Sequence, residues 1–361
     1  MLAEPVHPPL RAVGAALLDG TGQPLRLRGV NWYGAESPDF VVGGLHCQPL
    51  ARIVQRIVEL GANCVRLPFS IQLVLDNPPV CGAVVAANPE FAGQPALAVF
   101  DGTIAALTAA GLAVILDNHT SAADWCCAEG DTNAVWHTLR YPEPVWIECW
   151  RRLARRYRDN PRVIAVDLRN EPRSPARWVS RDPRRSWRDA AERAGAAVLA
   201  ENPRVLVVVE GSDFASDLRG ARSTPVRLPW GERLVYSVHD YPWFHGRSPS
   251  ARAMRERWDR RWGALADTPV IVGEFGIDTA AWNGKGAGLA ERWLRTFIEY
   301  LDERGISWIY WPLNGTMSSA APHHGRQFGA REPFGLLDAR WEAPANEALV
   351  EWLFGRTPSR C

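Results

Sequence analysis

Lysine is nearly missing from this sequence: Lys285 stands alone among 41 basic residues, set against 40 acidic ones for a formal net charge of +1. So even a balance leaves no basic excess to gather on one face, which argues against a nucleic-acid partner. The arginine pairs Arg151-Arg152 and Arg155-Arg156 lie on a helical pattern whose opposite face is apolar, so they read as a solvated helix surface. No apolar run is long enough to span a bilayer. Met1–Arg11 contains three prolines and no apolar segment, so no signal peptide is legible there. No cysteine pair has the CxxC spacing of a structural zinc site, and seven cysteines is an odd count, leaving at least one unpaired within the chain. A glycine-rich phosphate turn is also lacking, because the first core strand runs into Gly29-Val30-Asn31-Trp32 and not GxGxxG.

Tryptophan, by contrast, is plentiful. There are 17, many of them outside helical stripes, which suits either a large core or a cleft where flat rings meet a flat ligand. The remaining pattern is alternation. Leu17–Leu25, with Asp19-Gly20-Thr21-Gly22 at its middle, reads as a hairpin within residues 12–28. Short apolar runs that read as buried strands then follow at Leu25–Val30, Asn63–Leu67, Leu112–Leu116, Val163–Leu168, Val205–Val209, Leu234–Val238, Val270–Val272 and Trp308–Trp311. Helical periodicity separates nearly all of them, at Leu50–Leu60, Leu97–Leu107, Trp146–Tyr157, Trp187–Ala200, Ala251–Leu265 and Leu289–Tyr300, with a closing helix at Asn346–Phe354. Gly61 stands where a C-cap glycine belongs. Between the fifth and sixth strands the helix is short or irregular. Strict strand–helix alternation requires a parallel sheet, and eight units of this length predict a single (β/α)₈ TIM barrel over about residues 25–355, with an N-terminal β-hairpin. No linker or repeat divides residues 1–361, so one domain is expected.

Two of the strands end by presenting a glutamate. Arg169-Asn170-Glu171-Pro172 follows Val163–Val166, and Gly273-Glu274-Phe275-Gly276 follows Val270–Val272. Burying an unpaired carboxylate is costly, so two of them at the rim of one barrel suggest a carboxylate pair facing a common pocket. Paired carboxylates are the working parts of most glycoside hydrolases. The other strand ends add Arg66, His119, His239, Tyr241 and Trp311.

With those residues assembled, the chain resembles glycoside hydrolase family 5, the cellulase family, and its bacterial endo-β-1,4-glucanase branch. The matching stretches are Leu27–Trp32, Val65–Pro68, Ile115–His119, Asp167–Pro172, Val238–Tyr241, Gly273–Gly276, Tyr310-Trp311 and Gly335–Asp338. The resemblance implies a retaining O-glycoside hydrolase acting on β-linked oligo- or polysaccharides or glycosides, without metal or cofactor. It makes Glu171 the general acid/base, which must hold a proton near neutral pH, and Glu274 the nucleophile. Arg66 and Tyr241 would keep Glu274 ionised, Asn170 would bind the 2-hydroxyl of the reacting sugar, and His239 would tune Glu171. His119 would bind a further hydroxyl and Trp311 would be the stacking floor. The two carboxyls should lie about 5–5.5 Å apart. It also implies a secreted protein and a monomer.

The loops are more particular. Trp32, Trp125, Trp136, Trp178, Trp243 and Trp282 lie just past strand ends or in loops, and some of them are expected to stack on sugar, Trp32, Trp178, Trp243 and Trp282 among them. Glu210 either lines the cleft or caps a turn. Cys126 or Cys127 is a candidate for a disulfide with Cys81 or Cys47, and His323-His324 reads as an ordinary loop rather than a metal pair. Long loops at Asn77–Gly93, Ala122–Trp136 and Thr316–Glu332 leave open an exo-acting or short-glycoside-specific enzyme, and a non-catalytic sugar-binding barrel is the alternative of another class.

Overall fold

The computed structural model describes residues 4–127, 131–246, 249–286, 288–320 and 327–355. It begins with an antiparallel hairpin, β1 (Arg11–Val13) and β2 (Ala16–Leu18), turning at Gly14-Ala15. The glycine-rich stretch follows as a second antiparallel turn, with Leu18 bridged to Pro24 and the Leu25 N–H donating to the Leu17 carbonyl at 2.9 Å, as the sequence suggested. That stretch forms its own tight turn, in which Asp19 Oδ1 accepts from the backbone N–H of Thr21 at 2.9 Å and of Gln23 at 3.0 Å. An aspartate that satisfies two backbone donors fixes the turn across which the two arms pair.

Among the described residues, eight parallel strands follow: β3 (Arg28–Asn31), β4 (Cys64–Ser70), β5 (Ala113–Thr120), β6 (Val163–Asp167), β7 (Leu206–Glu210), β8 (Leu234–His239), β9 (Val270–Glu274) and β10 (Ser307–Tyr310). β10 pairs with both β9 and β3, so the sheet closes into the expected barrel. The first barrel strand starts at Arg28 and not at Leu25. The helices are α1 (Leu50–Leu60), α2 (Ile71–Asp76), α3 (Ala96–Ala109), α4 (Glu143–Arg156), α5 (Trp187–Glu201), α6 (Arg219–Ser223), α7 (Ala251–Trp258), α8 (Leu289–Arg304) and α9 (Glu347–Phe354). Gly61 caps α1 at φ 89°, a left-handed position that glycine adopts without side-chain strain. The β7–β8 connection contains five-residue α6 and one 3₁₀ turn, the irregular unit anticipated above. After Trp258 the chain widens into a π-turn at Asp259–Gly263, so α7 is shorter than its apolar pattern suggested.

Alternate residues along each strand point to opposite faces, and the side chains sort accordingly. Val65, Leu67, Val114, Leu116, Val207, Val209, Val238 and Val272 face outward into a core shared with the helices, where Ile53, Leu107, Trp150 and Phe297 meet them. The inward positions Cys64, Ala113, Ile115, Leu206, Val208, Val235, Ile271 and Ile309 form a second apolar cluster together with Val6, Leu10, Leu17, Leu25 and Leu27 of the N-terminal segment. The carbonyls of Glu4, Val6 and Leu10 accept from Asn63, Arg162 and Arg233, all placed just ahead of strands. The N-terminal segment thus covers the end of the barrel where the strands begin. The opposite end is left open to hold the polar residues.

Candidate active site

The inward face changes character two residues further along the same strands. Cys64 gives way to Arg66, Ile115 to Asp117, Ala165 to Asp167 and Val208 to Glu210, all buried. Arg66 is the hub of this layer. Its Nε donates to Asp167 Oδ2 at 3.0 Å, its Nη1 to Glu274 Oε1 at 2.7 Å, and its Nη2 to Asn170 Oδ1 at 3.0 Å and Glu210 Oε1 at 2.9 Å. Asp117 Oδ1 lies 3.1 Å from the same Nη2. Burial alone would discharge this guanidinium, but Asp117, Asp167, Glu274 and Glu210 hold it firmly protonated. The carboxylates of Asp117, Asp167 and Glu210 have the closeness of a cation site, and Arg66 occupies the cation's place.

Above this layer stand the two glutamates. An oxygen of Glu171 and one of Glu274 lie within 4.8 Å of each other, and His239 Nδ1 lies 3.5 Å from Glu274 Oε2. His239 Nδ1 is 2.9 Å from Glu171 Oε1, and its Nε2 is 3.3 Å from Glu210 Oε1, though too poorly aligned there to count as a hydrogen bond. Burial would lower the His239 pKa, yet the charges of Glu210 and Glu274 outweigh it and raise it well above the ordinary imidazole value. Tyr241 Oη donates to Glu274 Oε2 at 3.2 Å, and burial next to the two glutamates pushes its own pKa well up, so it remains a donor. His119 Nδ1 meets Asp117 Oδ2 at 2.7 Å; that charge overcomes desolvation and raises the His119 pKa. Asp167 is also raised well above the carboxylate range, by burial and then by the charge of Glu210.

Local backbone explains two of the motif residues. Glu171 has φ 45°, a left-handed conformation rare outside glycine, and its strained N–H donates to Glu210 Oε2 at 2.6 Å. A Cβ on Gly273 would press on Ser237 Oγ and His239 Nε2, so glycine there lets β8 and β9 approach with His239 between them.

These groups open into a cavity of about 540 Å³, within the range of small-ligand sites. His119, Asn170, Glu171, Tyr241, Trp243, Glu274 and Trp311 all line it. Trp311 lies parallel to His119 and to Tyr33, at ring-centroid distances of 5.4 and 5.2 Å. Trp243 stacks on Tyr241 at 4.4 Å and is 60% exposed. Trp125 also reaches the cavity wall.

Three of the tryptophans assigned to sugar stacking do not reach it. Trp32 is fully buried and donates its indole N–H to the Gly43 carbonyl at 2.9 Å. Trp178 is 8% exposed, donating to the Thr224 carbonyl at 2.8 Å, and Trp282 is 5% exposed, packed between Trp352 and Arg295. Their rings meet backbone carbonyls and side chains of neighbouring loops and helices, so they pack the loops in place. Trp136 is buried likewise.

The expected long-range disulfide is replaced by a local one: Cys126 is bonded to Cys127, while Cys47 and Cys81 are free thiols. Both bonded sulfurs line the cavity, 3.6 and 3.4 Å from Asn170 Nδ2. Phe214, Phe244, Met317, Glu332 and Phe334 line it as well. They come from loops whose sequences carry no periodic signal, and nothing local in the sequence pointed to them. His323-His324 lies outside the described residues.

The model of the family described as cellulase (glycosyl hydrolase family 5) matches residues 18–316. An endoglucanase of Paenibacillus polymyxa is 32% identical over 362 residues, covering 93% of this chain and 85% of that protein. The major extracellular endoglucanase of Xanthomonas campestris pv. campestris is 30% identical over 318 residues. That alignment covers 82% of this chain but 63% of the relative, less than two thirds of its length. Among solved structures, a complex of an endocellulase from Pyrococcus horikoshii with cellotetraose superimposes with a TM-score of 0.79 at 25% identity, covering 96% of this chain and 98% of that one.

Proposed function

The chain belongs to glycosyl hydrolase family 5, the cellulase family, and is a glycoside hydrolase; we propose that it cleaves β-1,4-glucan internally by a retaining double displacement. The observation that carries this reading is the approach of Glu171 and Glu274 to within 4.8 Å. Inverting enzymes keep their carboxyls about 6.5–9.5 Å apart to admit a water, whereas retaining enzymes hold them at about 5–5.5 Å.

In this mechanism Arg66 and Tyr241 stabilise negative charge on Glu274, which attacks the anomeric carbon. Of the two carboxyls, Glu171 is then the one left to carry the proton that departs with the leaving oxygen. Once Glu274 is consumed in the glycosyl ester its charge is gone. Glu171, beside cationic His239, then serves as the base that draws a proton from the incoming water. Asn170 and His119 bind hydroxyls of the reacting sugar, and Trp311 provides an apolar surface beneath it. The relatives' names, endoglucanase and endocellulase, support an internal cut in a β-1,4-glucan, and a polymer substrate supports action outside the cell. Among the described residues no helix is long and apolar enough to cross a membrane.

Proton NMR of cellotetraose hydrolysis tests the stereochemistry: the β-anomer should appear first and the α-anomer only by mutarotation. First appearance of the α-anomer would overturn the retaining assignment. Viscometry on soluble cellulose tests the position of the cut. Internal cleavage lowers viscosity before many reducing ends accumulate, while reducing ends without a viscosity drop would instead mark an exo-acting enzyme.

A further inference from the structure

Glu210 closes β7 with no exposed surface and does not line the cavity, yet it contacts the supports of both glutamates. One oxygen, Oε2, accepts the N–H of Glu171 at 2.6 Å. The other, Oε1, accepts from Arg66 Nη2 at 2.9 Å and lies 3.3 Å from His239 Nε2. Arg66 in turn donates to Glu274, and His239 meets Glu171. The main-chain carbonyl of Glu210 is itself fixed, accepting from Trp187 Nε1 at 2.8 Å.

A left-handed non-glycine residue is strained and persists only where its surroundings impose it. A short charge-assisted bond to the N–H of that residue is such an imposition. The closing carboxylate of β7 therefore sits where it can hold both reacting groups in mutual register.

We propose that Glu210 is a positioning residue that couples the two reacting carboxyls, holding the backbone of Glu171 directly and the side chain of Glu274 through Arg66. This rests on the roles given above to Glu171 and Glu274. The charged and titratable groups that face Glu210 are Arg66, Asp117, Asp167, Arg169, Glu171 and His239, from β4, β5, β6, β8 and the loop after β6.

The test compares Glu210→Gln, Glu210→Asp and Glu171→Ala with the unaltered enzyme on soluble cellulose, with thermal melts to verify folding. Glutamine keeps the length but not the charge, and its amide nitrogen faces donors. We expect kcat to fall about 100-fold, the loss typical of a misplacement of about 1 Å, with KM within about threefold. Removing a negative charge loosens the protons held nearby, so both limbs of the pH–rate profile should move to lower pH. Aspartate keeps the charge and loses the reach, so kcat should fall comparably while the limbs stay in place. A loss of folded protein alone would lower the active fraction without moving a pH limb. A folded Glu210→Gln or Glu210→Asp enzyme with the original kcat and limbs overturns the proposal and leaves the roles of Glu171 and Glu274 standing. If Glu210→Gln does not fold, Glu210→Asp decides by its kcat. A Glu171→Ala enzyme with undiminished kcat removes the reading underneath, and the proposal falls with it.

Discussion

The two halves of the barrel interior share strands, alternation and burial, and differ in almost everything else. Toward the strand starts, Ile115, Leu206, Val208, Ile271 and Ile309 pack as hydrocarbon against the N-terminal segment. Toward the strand ends, Arg66, Asp117, Asp167, Glu210, Glu274 and His239 pack as charges around one guanidinium. Apolar burial stabilises at about 25 cal/mol per Å², whereas a buried charge network at best returns what its desolvation cost. The lower half therefore holds the barrel together, and the upper half is a strained assembly that the lower half makes tolerable.

Substitutions can pull the two halves apart. The largest expected effect is Glu274→Ala, which should reduce kcat on soluble cellulose by about 10⁴-fold or more, in line with losing a nucleophile. Its melting temperature should be unchanged or higher, because a buried carboxylate has gone. Retention of activity in that variant would turn the upper half into a sugar-binding surface without catalysis. Next comes Arg66→Met, which leaves several buried carboxylates uncompensated and should cost about 3–5 kcal/mol in denaturant unfolding, together with activity. Ile115→Ala, one layer down, should cost about 2–5 kcal/mol with kcat and KM unchanged in the folded fraction. If Ile115→Ala altered the kinetic constants, the layers would not be separable.

A smaller contrast lies in the loops. Trp243→Ala removes an exposed ring on the cavity and should raise KM about 2- to 10-fold with little change in melting temperature, the range of a lost aromatic contact. Trp178→Phe strands the Thr224 carbonyl and should lower stability by about 1–3 kcal/mol, leaving KM alone. The gentlest effect is that of pH on stability. His119 and His239 have folded pKa values above the ordinary 6.5, so their contribution is complete below about 6.5 and is lost as pH rises through the elevated folded values. Melting temperature should decline on the alkaline side, and His239→Asn should flatten that decline.

Much of this was readable before folding was considered. The valine-rich strands, the Gly61 cap and both glutamates follow from local pattern, and Arg66, His119 and Tyr241 fall within a few residues of strand ends, where a barrel gathers its chemistry. The turn at Asp19–Gly22 was legible from its glycine, aspartate and threonine, and Leu17 pairs with Leu25 across it; that the arm before it also pairs with Arg11–Val13 was not. Trp32 and Trp178 were misassigned because a loop tryptophan has the same sequence signature whether its ring finds a sugar or a backbone carbonyl. Cys126 and Cys127 bonded to each other, which their adjacency shows only in retrospect.

Taken as a string of residues, the chain already specifies a parallel barrel with an acid pair at its rim, since strand periodicity and terminal carboxylates are local properties. Which rings face the cavity, and that Glu210 ties Glu171 to Arg66, emerge only when β4, β6, β7 and β8 are side by side. Those contacts join residues 39 and 144 positions apart, and no local preference carries information over such a distance.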